Sequence, residues 1–238
     1  MKINYTFTFG LLLPLLSIGQ TLEKPAPIKK AYFATVSEGI LSVGNLGNVT
    51  IYKPNTESFS VNASNPIPRY SAFFHFGEQF HLNLGKSLGL YSGIGVRNIG
   101  MINRLNDTIK VKQRVYALGI PVGIKIGDMQ KRVYAALGAE LELFFNYKQK
   151  TFLGRGRGEK VEKFNEWFSD RTPLLNPSLF LEFNFKKGSY IKLRYYPMNF
   201  LVTDKQNFTV NNIKTGFRPE TSQLFALSFG RVIGKKRK

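Results

Sequence analysis

The chain has 238 residues, 34 basic and 15 acidic side chains, a net charge of +19 and no cysteine. That length suits one substantial domain, and the missing cysteine excludes a disulfide framework, a cysteine metal site and a thiol nucleophile. So large a basic surplus points to an anionic partner, either nucleic acid or phosphate-bearing lipid.

Residues 1–19 carry Lys2 and then the apolar run GLLLPLLSIG, with Ser17 and Gly19 as small residues before a cut at Gln20. This is the pattern of a secretory signal peptide, and export disfavours nucleic acid as the partner. No later apolar run approaches the ~20 residues of a membrane helix, so an exported chain that enters a membrane must do so as a closed barrel. Residues 20–30, with two prolines and several lysines, read as an extended tether.

Alternation of apolar and polar residues then marks strands, because successive side chains of a strand point to opposite faces. Residues 36–47 form the weakest candidate, with several glycines and a blurred pattern, and 48–69 read as a long loop. In 70–84, Phe74, Phe76, Phe80, Leu82 and Leu84 oppose His75, Gln79, His81 and Asn83, with Glu78 interrupting the apolar face at a bulge. The turn 85–87 leads to a strand over 88–101, followed by a loop over 103–110. The strand 111–126 places Tyr116, Leu118, Ile120, Val122, Ile124 and Ile126 on one face; Pro121 is awkward for a paired strand.

After the turn 127–130, residues 132–148 form the longest alternating run, with Leu137, Leu141, Leu143, Phe145 and Tyr147 against Tyr134, Gly138, Glu140, Glu142 and Asn146. A long polar loop, 149–173, holds GRGRGEK and the only tryptophan, Trp167. In 174–198 two alternating runs meet at Lys186-Lys187-Gly188. A three-residue loop with glycine in the left-handed position is a favoured hairpin connection. Its register pairs Phe183 with Ile191, Leu181 with Leu193 and Glu182 with Lys192. A loop over 201–220 precedes the last strand, 221–233, and the basic tail 235–238.

Long and short connections alternate strictly along the chain, which gives about eight strands with both ends on the short-turn side. That sorting predicts an all-β, membrane-spanning, antiparallel up-and-down β-barrel over 31–234, with long external loops and short periplasmic turns. Aromatic girdles are expected from Phe144, Phe145, Tyr147, Tyr195, Tyr196 and Phe200 at the outer end, and from Phe183, Phe185 and Tyr190 at the inner end. The inward face carries Glu140, Glu142, Glu182, Lys192, Arg194, Arg97 and Lys125. An eight-stranded barrel is only wide enough to be filled by side chains, and buried charges must pair. These residues therefore predict an ion-pair network that plugs the lumen.

The segments FGEQFHLNLGKSLGLYSGIGVRNIG, RVYALGIPVGIKIG and QLFALSFGRVIG resemble the PorT-like outer-membrane β-barrel domain family over residues 31–234. The resemblance implies a small Gram-negative outer-membrane barrel without a known reaction; the secretion-accessory role known in the family is not carried to this chain by the strand pattern. The basic tail departs from the aromatic last residue usual in such barrels.

Other candidate chemistry is weighed against packing. His75 and His81, the only histidines, lie about 20 Å apart along a strand, too far to share a site, and His81 lacks the serine and acid that a lipid A hydrolase needs. Glu140 and Glu142, about 7 Å apart, have the spacing of paired-carboxylate chemistry, but cationic neighbours and a filled lumen favour charge pairing. Arg155 and Arg157 sit in a glycine-rich external loop suited to contact lipopolysaccharide phosphate or another anion. The reading is a non-enzymatic outer-membrane protein without metal or cofactor. Its partners are outer-membrane lipid and lipopolysaccharide, with proteins of a secretion or envelope complex as further candidates. A secretion accessory, a lipid A-modifying enzyme and a soluble ligand-binding barrel are the alternatives, in falling order.

Overall fold

The computed structural model describes residues 28–52, 57–63, 66–156 and 158–234. The leader, most of the tether and the basic tail lie outside the described residues. In chain order the strands are β1 (Ala31–Asn45), β2 (Asn48–Tyr52), β3 (Phe59–Asn62), β4 (Pro66–Ile67), β5 (Arg69–Ser71), β6 (Phe76–Asn83), β7 (Leu88–Arg104) and β8 (Ile109–Asp128). They continue with β9 (Val133–Leu153), β10 (Glu159–Trp167), β11 (Leu175–Asn184), β12 (Ser189–Tyr196), β13 (Asn207–Val210), β14 (Ile213–Pro219) and β15 (Gln223–Gly234).

Eight of these strands close a ring in the order β1-β6-β7-β8-β9-β11-β12-β15 and back to β1, each pair antiparallel. The chain is an up-and-down β-barrel. The hairpin β11–β12 has the register that its alternation dictates, with Phe183 opposite Ile191 and Glu182 opposite Lys192. At its turn both Lys187 (φ 71°) and Gly188 (φ 81°) adopt the left-handed conformation.

The exterior is apolar across the middle of the ring. Val122, Ile124, Ile126 and Leu137 are all more than half exposed, and in water each would forfeit a large part of the roughly 1.5–3 kcal/mol that burial of such a chain contributes. The interior is polar, with Gln79, His81, Asn83, Arg97, Lys125, Glu140 and Arg194 buried. This inside-out distribution is that of an outer-membrane-type barrel, in which apolar residues face lipid. Between Phe183, which pairs with Ala135, and Phe145 lie about ten residues of β9. They span about 33 Å along the strand, or about 25 Å along the axis at the usual tilt, which matches the lipid-facing band of such barrels.

Several elements differ from the alternation pattern. The weakest predicted strand, 36–47, is the well-formed fifteen-residue β1; its glycines blurred a pattern whose inward side includes Glu38 and Ser42. The strand predicted over 70–84 is divided into β5 and β6, and the break falls at 72–75 rather than at Glu78. Glu78 faces outward and accepts a hydrogen bond from Thr35 Oγ1 at 2.5 Å. Pro121 stays in register opposite Glu140.

The largest departure is outside the membrane. The regions predicted as loops at 48–69, 149–173 and 201–220 hold strands. β8 and β9, with 20 and 21 residues, are about twice as long as the 9–11 residues that cross a bilayer. β10 folds back onto the projecting end of β9, and β13-β14-β2-β3 form a separate four-stranded sheet. Under this cap the inward side of the barrel mouth turns apolar: Ile40, Leu46, Ile51, Ile99, Met101, Val111, Val115, Phe208 and Phe217 form one buried core.

That core also absorbs aromatics expected in the girdle. Phe144, Tyr147, Tyr196 and Phe200 are buried in it, and at the other end Tyr190 points into the lumen. A bulge in β9, where Tyr116 pairs with Asn146 and Ala117 with Phe144, reverses the parity of that strand and turns Tyr147 inward. The outer belt is built instead from Tyr70, Phe73, Phe74, Phe145, Trp167, Phe168, Tyr195 and Phe225, and the inner one from Phe33, Phe80, Phe183 and Phe185.

Phe217→Ala tests the cap core. It should remove about 3–5 kcal/mol of local stability and open the cap to protease, while the barrel keeps its heat-modifiable migration on gels. Unchanged protease resistance would show that the cap core does not depend on Phe217.

Candidate functional site: the charged lumen

Three layers of side chains fill the barrel from base to mouth. At the base, His81 lies between the rings of Tyr32 and Tyr91, with centroids 4.7 and 5.3 Å away. Lys125 Nζ donates to Asn83 Oδ1 at 2.8 Å and lies over the rings of Tyr32 and Tyr134. Ile28, just before β1, packs against the buried cluster of Tyr91, Met129, Tyr134, Ala136 and Phe180.

The middle layer holds the charges, supplied by five ring strands. Glu38 of β1 accepts from Arg97 Nε of β7 at 2.9 Å and from Arg194 Nη2 of β12 at 3.0 Å. Arg97 also pairs with Glu140 of β9, and its Nη1 lies 3.3 Å from Glu142 Oε1. Arg194 Nε faces Glu140 Oε2 at 3.5 Å, and its Nη1 donates to Ser228 Oγ of β15 at 2.6 Å. Tyr196 OH donates to Glu142 at 3.0 Å, and Tyr190 OH to Glu38 at 3.2 Å. Below this group, Lys192 Nζ pairs with Glu182 of β11 at 2.7 Å, Tyr91 OH donates to the same carboxylate, and the Lys192 ammonium lies 4.7 Å from the Phe180 ring centre.

Glycine makes room for these large inward groups. Gly123 and Gly138 face each other across β8 and β9. A methyl group on Gly123 would meet the rings of Tyr91 and Phe180, and one on Gly119 would press on Arg97 and Glu140.

The upper layer joins the apolar core by a clasp of amides. Gln113 Nε2 donates to Tyr147 OH at 2.9 Å and to Gln206 Oε1 at 3.1 Å, and Gln149 Nε2 donates to the Asn207 carbonyl at 2.7 Å. These bonds tie β8 and β9 to Gln206 and the first residue of β13.

Of the lumen residues singled out in the sequence, Arg97, Glu140, Glu142 and Arg194 lie in one network, and Glu182 and Lys192 form a pair beneath it. Lys125 stands apart, held by neutral partners. Glu38 belongs at the centre of the network but escaped the sequence reading. Its signal was one acid on the inward parity of a glycine-interrupted run. His75 and His81 occupy separate places: His75 Nε2 is 2.9 Å from Ser71 Oγ, and His81 is at the base. Among the described residues no cluster of three or more His, Asp or Glu is arranged to hold a metal ion. Arg155 is exposed at the tip of the β9–β10 hairpin, where the Gly156 carbonyl accepts from Arg104 and Lys110. Arg157 lies outside the described residues.

Comparison with solved structures finds small outer-membrane barrels. OprG of Pseudomonas aeruginosa is 10% identical, covering 87% of this chain and 98% of that one, with a TM-score of 0.41. CarO2 of Acinetobacter baumannii is 11% identical, covering 82% and 99%, with a TM-score of 0.39. Ail, the attachment invasion locus protein of Yersinia pestis, is 15% identical, covering 82% and 98%, with a TM-score of 0.26. No protein-family profile and no curated protein matches the chain.

The pairing of Glu182 with Lys192 predicts a charge-swap rescue. Glu182→Lys or Lys192→Glu alone leaves like charges buried together and should cost about 3–5 kcal/mol, and the double swap should recover most of that loss. Thermal unfolding in detergent measures it; a double swap no better than either single change would refute the pairing. Glu38→Ala should destabilise by a similar amount, because it leaves two buried arginines short of a carboxylate.

Proposed function

We propose that the chain is an exported, integral outer-membrane protein with a non-enzymatic structural, binding or accessory role, and that its barrel conducts no solutes. The observation that carries this reading is the layered filling of the lumen: ring-stacked His81 and Lys125 below, ion pairs at the middle, an apolar core beneath an ordered cap above. A permeation path through these layers would have to break buried ion pairs, and taking one partner from such a pair costs several kcal/mol. The acids of the lumen support the non-enzymatic part of the reading, since each described lumen carboxylate is engaged by a cation or a phenol.

An accessory role in a secretion or assembly complex draws support from the external sheet β13-β14-β2-β3. It adds a four-stranded sheet at the barrel mouth, a surface on which a partner could dock. The signal-peptide reading of residues 1–19 and the anion-contacting role of Arg155 and Arg157 belong to the same proposal.

Two measurements test it. The full chain should fractionate with the outer membrane and migrate faster on gels before boiling than after. Reconstituted in planar bilayers, it should show no stable conductance steps. Recovery of the chain as a soluble periplasmic protein would overturn the membrane reading, and steady single-channel conductance would overturn the closed lumen.

A further inference from the structure

Above the outer aromatic belt, the outward face of β8, β9 and β10 is a lattice of cations. Lys112 of β8 is opposite Lys150 of β9, and Lys150 is in turn opposite Lys163 of β10. One step nearer the membrane, Arg114 is opposite Lys148. Opposed residues of an antiparallel pair have Cβ atoms about 4.5–5.5 Å apart, and like charges in that relation repel. Among the described residues none of these five cations is ion-paired: the ion pairs outside the lumen belong to Lys131, Arg171 and Lys205. The acids of β10 point the other way. Glu162 accepts from Thr151 Oγ1 at 2.8 Å on the inner side, and Glu166 faces Arg171 at 3.6 Å.

Directly beneath the lattice the rings of Tyr116, Phe145 and Trp167 form a row, with centroids 6.3 and 5.9 Å apart. Arg114 lies over the Tyr116 ring at 5.4 Å, and Trp167 is 67% exposed. Amphipathic rings of this kind sit at the level of lipid headgroups. Arg114 and Lys112 are two and four residues beyond Tyr116, about 7 and 14 Å along the strand, a distance that the strand tilt shortens. The cations therefore occupy the depth at which lipid phosphates lie.

We propose that this face binds the phosphate groups of an anionic lipid of the outer leaflet, which span the Lys112–Lys150–Lys163 and Arg114–Lys148 rows while the acyl chains lie against Tyr116, Phe145 and Trp167. The site rests on the reading that the barrel sits in the outer membrane with its capped end outward. Charge complementarity selects the ligand class: ammonium and guanidinium groups in two rows suit a lipid bearing more than one phosphate. The belt below selects a lipid over a soluble anion.

The test uses the full chain in nanodiscs of zwitterionic lipid, with diphosphorylated lipid A and fully dephosphorylated lipid A as probes. Bound lipid is counted by native mass spectrometry, and unfolding is followed by heat-modifiable migration. The wild-type chain should retain the diphosphorylated lipid at least ten-fold better than the dephosphorylated one. Lys112→Gln, Lys150→Gln and Lys163→Gln combined should abolish most of that preference. In discs without lipid A the same variant should unfold at a higher temperature than wild type, because the repulsion is gone. Lys150→Gln alone, at the centre of the row, should move both readouts in the same directions and covers the case in which the triple variant folds poorly. Equal retention of both lipids, or an unchanged preference in a folded variant, overturns the proposal. Soluble polyphosphate that stabilises the protein as strongly as lipid A overturns the lipid as occupant. A chain that inserts with heat-modifiable migration yet ignores lipid A leaves the outer-membrane reading standing, and a chain that fails to insert removes both.

Discussion

The constraint on which the rest of this structure depends is the buried charge network around Glu38, Arg97, Glu140 and Arg194. A strand in a membrane exposes one face to lipid, so its polar side chains must turn inward, and in an eight-stranded ring they meet in a space too narrow for bulk water. Desolvating each charge costs several kcal/mol, which only good pairing offsets. Here Glu38 takes both arginines, Arg97 reaches both glutamates of β9, and Tyr190 and Tyr196 satisfy remaining acceptor positions. The partners come from strands remote in sequence: Glu38 and Arg194 are 156 residues apart. The pairing of Arg194 with Glu38 forms only when β1 meets β15, so ring closure completes the network. The small residues on β8 and β9 follow from the same constraint, since Gly119 and Gly123 leave the volume that Arg97, Tyr91 and Phe180 occupy.

The second organising fact is a change of solvent partway along single strands. On β8 the outward residues are Ile126, Ile124, Val122 and Ile120 within the membrane, then Tyr116, then Arg114 and Lys112. The inward residues change in the opposite sense, from Lys125 through Gly123 to Ala117, Val115 and Val111. Below Tyr116 the barrel is inside out; above it the same strand has the ordinary arrangement of a water-soluble protein, with an apolar core and a charged surface. That inversion explains why the cap is ordered. Once the mouth of the barrel is apolar it must be covered, and the sheet built from β2, β3, β13 and β14 buries it under Ile51, Phe208 and Phe217.

Much of this was legible in the chain. Period-two alternation fixed the faces of β6, β7, β8, β11 and β12, and the odd loop at 186–188 fixed a register that put Glu182 opposite Lys192. The parts that were not legible share a physical cause. Alternation reports a strand only while its two sides face different solvents. In β1 the outward positions beside Glu38 are Ser37 and Gly39 while the inward ones include Val36 and Ile40, so the hydrophobic contrast is lost there and Glu38 was missed. In β9 the bulge beside Phe145 shifts parity by one residue, and a pattern read straight through it assigns Tyr147 to lipid when the ring is buried. The cap strands are short and rich in Asn and Thr, and their pairing joins segments about 165 residues apart, as in Ile51 with Phe217. No local signal encodes such contacts.

The distribution of charge closes the argument begun with composition. Among the described residues the buried charged groups comprise four carboxylates (Glu38, Glu140, Glu142 and Glu182) and five cations (Arg69, Arg97, Lys125, Lys192 and Arg194). The lumen is nearly neutral, so almost all of the basic surplus of the described residues lies outside it. Part of it is concentrated in the Lys112–Lys150–Lys163 row, where lysines directly opposite one another across the strands repel. A glutamate in place of Lys150 would turn that repulsion into two favourable cross-strand pairs of roughly 0.2–1 kcal/mol each. Stability of the isolated sheet therefore argues against the residues found there. What makes the row favourable is an opposing negative charge supplied from outside the chain, and at the height of the aromatic belt the membrane surface is the nearest source of it.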